Sequence, residues 1–117
     1  MKYYIGIDLG GTNIVAGVVD ENFSLIATAS NKTNAGRPAD QIAETMAKTA
    51  AQAEEKAGIS MEQIESVGIG SPGIVDSQKR EVIFASNLDF YNAPIGQLLE
   101  DRLHRPVFLA NDADAAA

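Results

Sequence analysis

Two apolar runs, Tyr4-Ile5-Gly6-Ile7 and Ile14-Val15-Ala16-Gly17-Val18-Val19, flank the short stretch Asp8-Leu9-Gly10-Gly11-Thr12-Asn13 near the start of the chain. The second run is rich in β-branched residues and ends in the polar Asp20-Glu21-Asn22, as a strand running into a turn does. The pattern predicts two strands folded back on a glycine-rich turn. Phe23 to Ser30 shows partial alternation and continues the meander as a third antiparallel strand. The period then changes: Ile42, Met46, Ala50, Ala53 and Ala57 recur at three- and four-residue spacing, with Gln52, Glu54, Glu55 and Lys56 for the wet side. Pro38 suits the first turn of that helix and Gly58 its stop. An apolar stripe made largely of alanine lets the helix lie close to a sheet.

Beyond Gly58, Ser60-Met61-Glu62-Gln63 has the capping-box pattern and Ile64 to Gly70 resumes as a strand, broken by Ser71-Pro72-Gly73. Val75 to Ile83 reads as a small hairpin with a solvated tip, on which Lys79 and Arg80 are surface charges. Asn87 to Asn92 is loop-like. Pro94 opens a helix carrying Ile95, Leu98, Leu99 and Leu103 on one side, and Arg105-Pro106 ends it. Val107 to Ala110 is a buried-type strand, and Asn111 to Ala117 reads as the start of a helix that stops after about one and a half turns, as a truncation would. The fold class is therefore α/β: a mixed five-stranded sheet, three antiparallel strands followed by two parallel ones, flanked by helices.

Composition narrows the partners. With 117 residues, 45% of them hydrophobic and 21% charged, the chain is one domain able to bury a core. Sixteen Asp and Glu against nine Lys and Arg leave a net charge of −7, which disfavours nucleic acid, since phosphate backbones are held by clustered cations. Without cysteine there is no disulfide framework and no thiolate metal site. No apolar run approaches the ~20 residues of a membrane span, and the N-terminus lacks a signal-peptide pattern. A cytoplasmic protein is expected.

Candidate chemistry begins at the first turn. Asp8 closes a strand, Gly10 and Gly11 can take positive φ and expose backbone N–H groups, and Thr12 adds a hydroxyl, a combination suited to a nucleotide phosphate and its magnesium. A Walker A loop needs Gly-Lys-Ser/Thr before a helix, and a dinucleotide fingerprint needs spaced glycines opening a helix; here a strand follows. An ordinary Gly-Gly hairpin has the same local pattern. Asp8, Gly70 to Gly73 and Asn111-Asp112 fall at the carboxyl ends of strands, where open α/β sheets bind ligands, and so predict one cleft. A phosphate hairpin facing a carboxylate suits phosphoryl transfer. Taken alone, Asn111-Asp112 also reads as a helix cap. Asp114 is assigned to the helix dipole, and the lone His104 to solvated surface at a helix end.

Four segments in order resemble the ROK family of sugar kinases and repressors, and within it the glucokinase-like members of the actin and hexokinase-like superfamily. They are Ile7-Asp8-Leu9-Gly10-Gly11-Thr12-Asn13, Gly68-Ile69-Gly70-Ser71-Pro72-Gly73-Ile74-Val75-Asp76, Ser86-Asn87-Leu88 and Leu109-Ala110-Asn111-Asp112-Ala113. The resemblance implies that residues 1–117 are the ribonuclease-H-like N-terminal lobe of an ATP- and magnesium-dependent hexose kinase, without the C-terminal lobe and inactive alone. By it Asp112 is the catalytic base; Gly10, Gly11 and Thr12 hold ATP phosphates, and Asp8 holds magnesium through water. Gly73, Asn87, Asn111 and Asp112 bind the hexose. It also implies a homo-oligomer and places the family's structural zinc motif beyond Ala117. Glucokinase-like members often carry a tryptophan shortly after the asparagine matched by Asn87, where this chain has Phe90-Tyr91. A sugar-sensing lobe of a ROK-type regulator is the alternative. A filament or chaperone ATPase would share the hairpin but gives no reason for Asn111-Asp112.

Overall fold

The computed structural model describes residues 1–115, so the continuation of the last predicted helix over Ala116 and Ala117 lies outside the described residues. Its strands are β1 (Tyr3–Leu9), β2 (Asn13–Asp20), β3 (Leu25–Lys32), β4 (Ile64–Ser71), β5 (Ile74–Asp76), β6 (Glu81–Ala85), β7 (Phe90–Ala93) and β8 (Val107–Asn111). Helix α1 spans Ala39–Ala57, α2 Ile95–Leu103 and α3 Asp112–Ala115. Five strands form one sheet in the order β3-β2-β1-β4-β8. β1, β2 and β3 pair antiparallel, while β4 runs parallel to β1 and β8 parallel to β4. This is the mixed sheet expected from the sequence.

The strand alternation decides which face is dry. Ile5, Ile7 and Leu9 of β1, Ile14, Ala16 and Val18 of β2, Val67 and Ile69 of β4, and Val107 and Leu109 of β8 are buried. They join Ile42, Met46, Ala50 and Ala53 of α1 and Ile95 and Leu99 of α2 in one core. The small side chains on α1 let it sit down on β2 and β3, and α2 packs beside it against β8. Pro38 is the N-cap of α1, and Gly58 ends it in the left-handed region at φ 73°, bonding back to Glu54 and Glu55 carbonyls. The opposite sheet face is open. Across it Gly17, Gly6 and Gly68 stand side by side on β2, β1 and β4, with Phe108 next to Gly68 on β8.

Several expectations change. Phe23 is not in the third strand: it sits at φ 62° in the turn before β3. The Asp20 carboxylate accepts the Asn22 and Ser24 N–H groups there and closes the turn early. The segment expected as a loop, Asn87 to Asn92, instead overlaps a 3-10 turn over Ser86–Leu88 and most of the strand β7. Leu88, Phe90 and Ala93 are buried beneath it, and Asp89 and Asn92 take positive φ, which these residue types tolerate. β5, β6 and β7 therefore form a second, three-stranded sheet.

Arg80 is not a surface charge. Its guanidinium pairs with Glu100, donates to the Val107 carbonyl at 3.1 Å and to Gln97 at 2.7 Å. Its stem lies so close over Gly96 that no side chain fits there. The small sheet is thus bolted to α2 and β8. Among the described residues no helix is long and apolar enough to cross a membrane.

Candidate functional site

Parallel strands ending at one edge bring residues distant in sequence together. Asp8 pairs in register with Gly70, Gly70 with Ala110, and Ser71 with Asn111. An open groove of about 920 Å³ runs over the uncovered sheet face, with a floor that includes Gly6, Gly17, Gly68 and Gly70. Asp8 and Asp112 are the charged residues of its lining, among apolar neighbours that include Val15, Leu25 and Phe108. Two carboxylates thus share a groove with apolar walls, Asp8 one residue before the end of β1 and Asp112 directly after β8.

The turn between β1 and β2 is closed by Gly10 N–H donating to the Asn13 carbonyl at 3.0 Å. Neither Gly10 nor Gly11 takes positive φ, against the sequence expectation. At Gly10 the glycine has a steric cause in the backbone, and at Gly11 a side chain would press on the amide end of Asn87. A Cβ at Gly10 would lie 2.8 Å from the Asn13 carbonyl oxygen, and one at Gly11 would lie 2.9 Å from Asn87 Nδ2. The Gly11 and Thr12 N–H groups find no acceptor among the described residues. They are free for an anion.

The contact with Gly11 shows where Asn87 lies: the Ser86–Leu88 turn carries its side chain against the glycine turn. Gly73, at φ 87°, packs so tightly on the Phe84 carbonyl and on Ala85 that a side chain would collide. Its own carbonyl accepts Asn111 Nδ2 at 2.6 Å, while Asn111 Oδ1 accepts the Ala113 N–H at 3.0 Å. Asn111 therefore caps α3 and ties β8 to the Pro72-Gly73 turn that leads into β5. One amide hydrogen and one lone pair remain on it for a ligand. Asp8, Gly10, Gly11, Thr12, Gly73, Asn87, Asn111 and Asp112 all fall at this one edge of the molecule.

His104 ends α2 at φ 57° and is exposed. No group of three or more His, Cys, Asp or Glu able to hold a metal is present among the described residues. Sequence reasoning missed Thr33, which is buried directly behind the glycine turn. The one available signal was a hydroxyl residue shortly after the third predicted strand.

The ROK family model matches residues 4–117. The chain belongs to the ROK family. A glucokinase from Streptomyces coelicolor is 41% identical over 117 residues, covering 100% of this chain and 35% of that relative. Among solved structures, a ROK hexokinase from Thermus thermophilus superposes with a TM-score of 0.87 at 37% identity, over 98% of this chain and 37% of that one. A ROK family glucokinase from Streptomyces griseus, in complex with glucose and AMPPNP, gives a TM-score of 0.86 at 38% identity, over 97% of this chain and 34% of that one. This ROK chain therefore spans about a third of the length of these relatives.

Proposed function

We propose that this chain is the N-terminal lobe of a cytoplasmic hexose kinase that transfers the γ-phosphoryl group of ATP to a hydroxyl of a glucose-like sugar. The observation that carries this reading is the meeting of a turn with free N–H groups, the Asn87 amide and two carboxylates at one strand edge. The likeness to a glucokinase crystallised with glucose and an ATP analogue supports it. In the reaction the sugar oxygen attacks the γ-phosphorus, the bond to the β-phosphate oxygen breaks and ADP leaves. Asp112 accepts the hydroxyl proton. Gly11 and Thr12 hold the nucleotide phosphates through their free backbone N–H groups and the Thr12 hydroxyl, while Gly10, whose N–H closes the turn on Asn13, shapes the turn that presents them. Asn87, Asn111 and the Gly73 carbonyl orient the sugar hydroxyls, placing the acceptor beside the donor.

Magnesium bound with ATP is usually held by one or two carboxylates, phosphates and water rather than by a full protein cage. Asp8 fits that pattern: it is exposed at a strand end and lines the same groove as Asp112. When bound, the ion would neutralise charge on the phosphates.

The decisive experiment is Asp112→Asn in the kinase that carries this lobe. Asparagine keeps the shape and leaves the Asn111 cap of α3 in place but loses the basic oxygen, so kcat should fall by ~10²–10⁴-fold. The sugar KM should change far less. Near-normal turnover in the variant would remove Asp112 as the base. The alternative, a sugar-sensing lobe of a regulator, predicts sugar binding without any ATP-dependent phosphorylation by the parent protein, and the same assay separates the two.

A further inference from the structure

Thr33 follows β3 and is fully buried. Its hydroxyl donates to the Gly10 carbonyl at 2.7 Å and its N–H to the Thr12 carbonyl at 2.8 Å. Two of the carbonyls of the glycine turn are thus committed to one residue just beyond β3. In a trans peptide the C=O and N–H point in opposite directions. Drawing the Gly10 carbonyl inward to Thr33 therefore aims the Gly11 N–H away from Thr33. That N–H is one of the two in the turn without a partner among the described residues.

Thr33 is held from behind in turn. Arg37 donates through Nη2 to the Thr33 carbonyl at 2.5 Å and to Thr45 Oγ1 on α1 at 3.1 Å, and through Nε to the Asn34 carbonyl at 3.1 Å. The buttress runs from α1 through Arg37 and Thr33 to the turn. With the Gly10 N–H bonded to Asn13 as well, the peptide between Gly10 and Gly11 has little freedom to rotate.

We propose that Thr33 is a positioning residue for nucleotide phosphate, acting through the Gly10 carbonyl to hold the Gly11 N–H in the orientation that binds the anion. The proposal rests on the reading of this turn as the phosphate site. It separates Thr33 from residues that merely support the fold, because its effect falls on one substrate only.

The test is steady-state kinetics with ATP and hexose varied in turn, on the kinase carrying this lobe. Thr33→Val keeps the volume and removes the donor; the KM for ATP should rise about 5–10-fold, the usual effect of losing one hydrogen bond, while the KM for the sugar stays within about twofold by the same measure. Thr33→Ser restores the hydroxyl and should return the ATP KM close to the parent value. If Thr33→Val yields no folded protein, Thr33→Cys replaces it and, with a weak S–H donor, should give a smaller rise in the same direction. An unchanged ATP KM, an equal rise in both KM values, or a serine variant no better than valine overturns the proposal. Gly11→Val, whose side chain would collide with Asn87, controls for the underlying reading. If it leaves ATP affinity intact, the turn is not the phosphate site; if it weakens ATP binding while Thr33→Val does not, only the role of Thr33 fails.

Discussion

Replacing Arg80 by methionine should destabilise the chain measurably, although sequence pattern alone puts Arg80 at a solvated hairpin tip. Methionine keeps a flexible stem to lie over Gly96 and removes only the guanidinium. Three interactions go with it. The Glu100 ion pair is partly wet, with side-chain exposures of 22% and 39%, so it contributes about 0.5–1 kcal/mol after allowance for solvent. The Val107 carbonyl loses a charged donor in a part-buried bond, costing about 1.5 kcal/mol, the low end for charged groups. The exposed bond to Gln97 adds little. The total is about 2 kcal/mol, or a fall in Tm of roughly 6–10 °C for a chain of this length. Thermal unfolding followed by circular dichroism on the parent, Arg80→Met, Glu100→Gln and the double variant closes a cycle that isolates the ion pair. Added salt should shrink that coupling and leave the Val107 contribution, since screening acts on the exposed charges. An Arg80→Met variant melting with the parent would show that the two sheets are not bolted together there.

Two further outcomes follow from the geometry. Gly36 and Gly73 both have positive φ, but a Cβ at Gly36 meets nothing within 4 Å, whereas one at Gly73 strikes the Phe84 carbonyl; Gly36→Ala should cost about 1–2 kcal/mol for the backbone alone, Gly73→Ala clearly more, and equal shifts in urea midpoint would refute the packing argument. The 117-residue chain alone should unfold cooperatively on heating yet release no ADP in a hexose-dependent manner, because phosphoryl transfer needs both reactants held at about 3–3.5 Å; robust turnover would contradict the reading of this chain as one lobe that is inactive alone.

The five-stranded sheet and α1 were legible because their signals are periodic and local: β-branched runs for β2, a three-four alanine stripe between Pro38 and Gly58 for α1. The convergence of Asp8, Gly70 and Asn111-Asp112 was legible too, as parallel strands ending at one edge leave little choice. What escaped depended on contacts between distant residues. Arg80 looks solvated until Glu100 and the Val107 carbonyl are brought to it, and Thr33 looks like any strand-end hydroxyl until Gly10 is placed against it. β7 was hidden by Asn and Asp, whose turn propensity outweighed the buried Leu88, Phe90 and Ala93. For Gly10 the sequence marks the residue type as special, but the reason is lack of room for a Cβ against the Asn13 carbonyl rather than φ, and at Gly11 a Cβ would crowd only the Asn87 amide.

The row of Gly17, Gly6 and Gly68 across the open sheet face bears on how the groove meets what enters it. Space does not demand glycine at two of these positions, for a Cβ at Gly6 or Gly68 would meet nothing within 4 Å. Their cost falls at folding, where each glycine gives up more backbone freedom than alanine, roughly 0.5–1 kcal/mol in a strand. In return, this part of the floor has no rotamers left to freeze. A long side chain there would lose up to about 1.5–2 kcal/mol of rotamer freedom each time it was covered. The disorder is removed once, when the sheet forms, and the floor then presents the same backbone contour at every arrival and departure of a ligand.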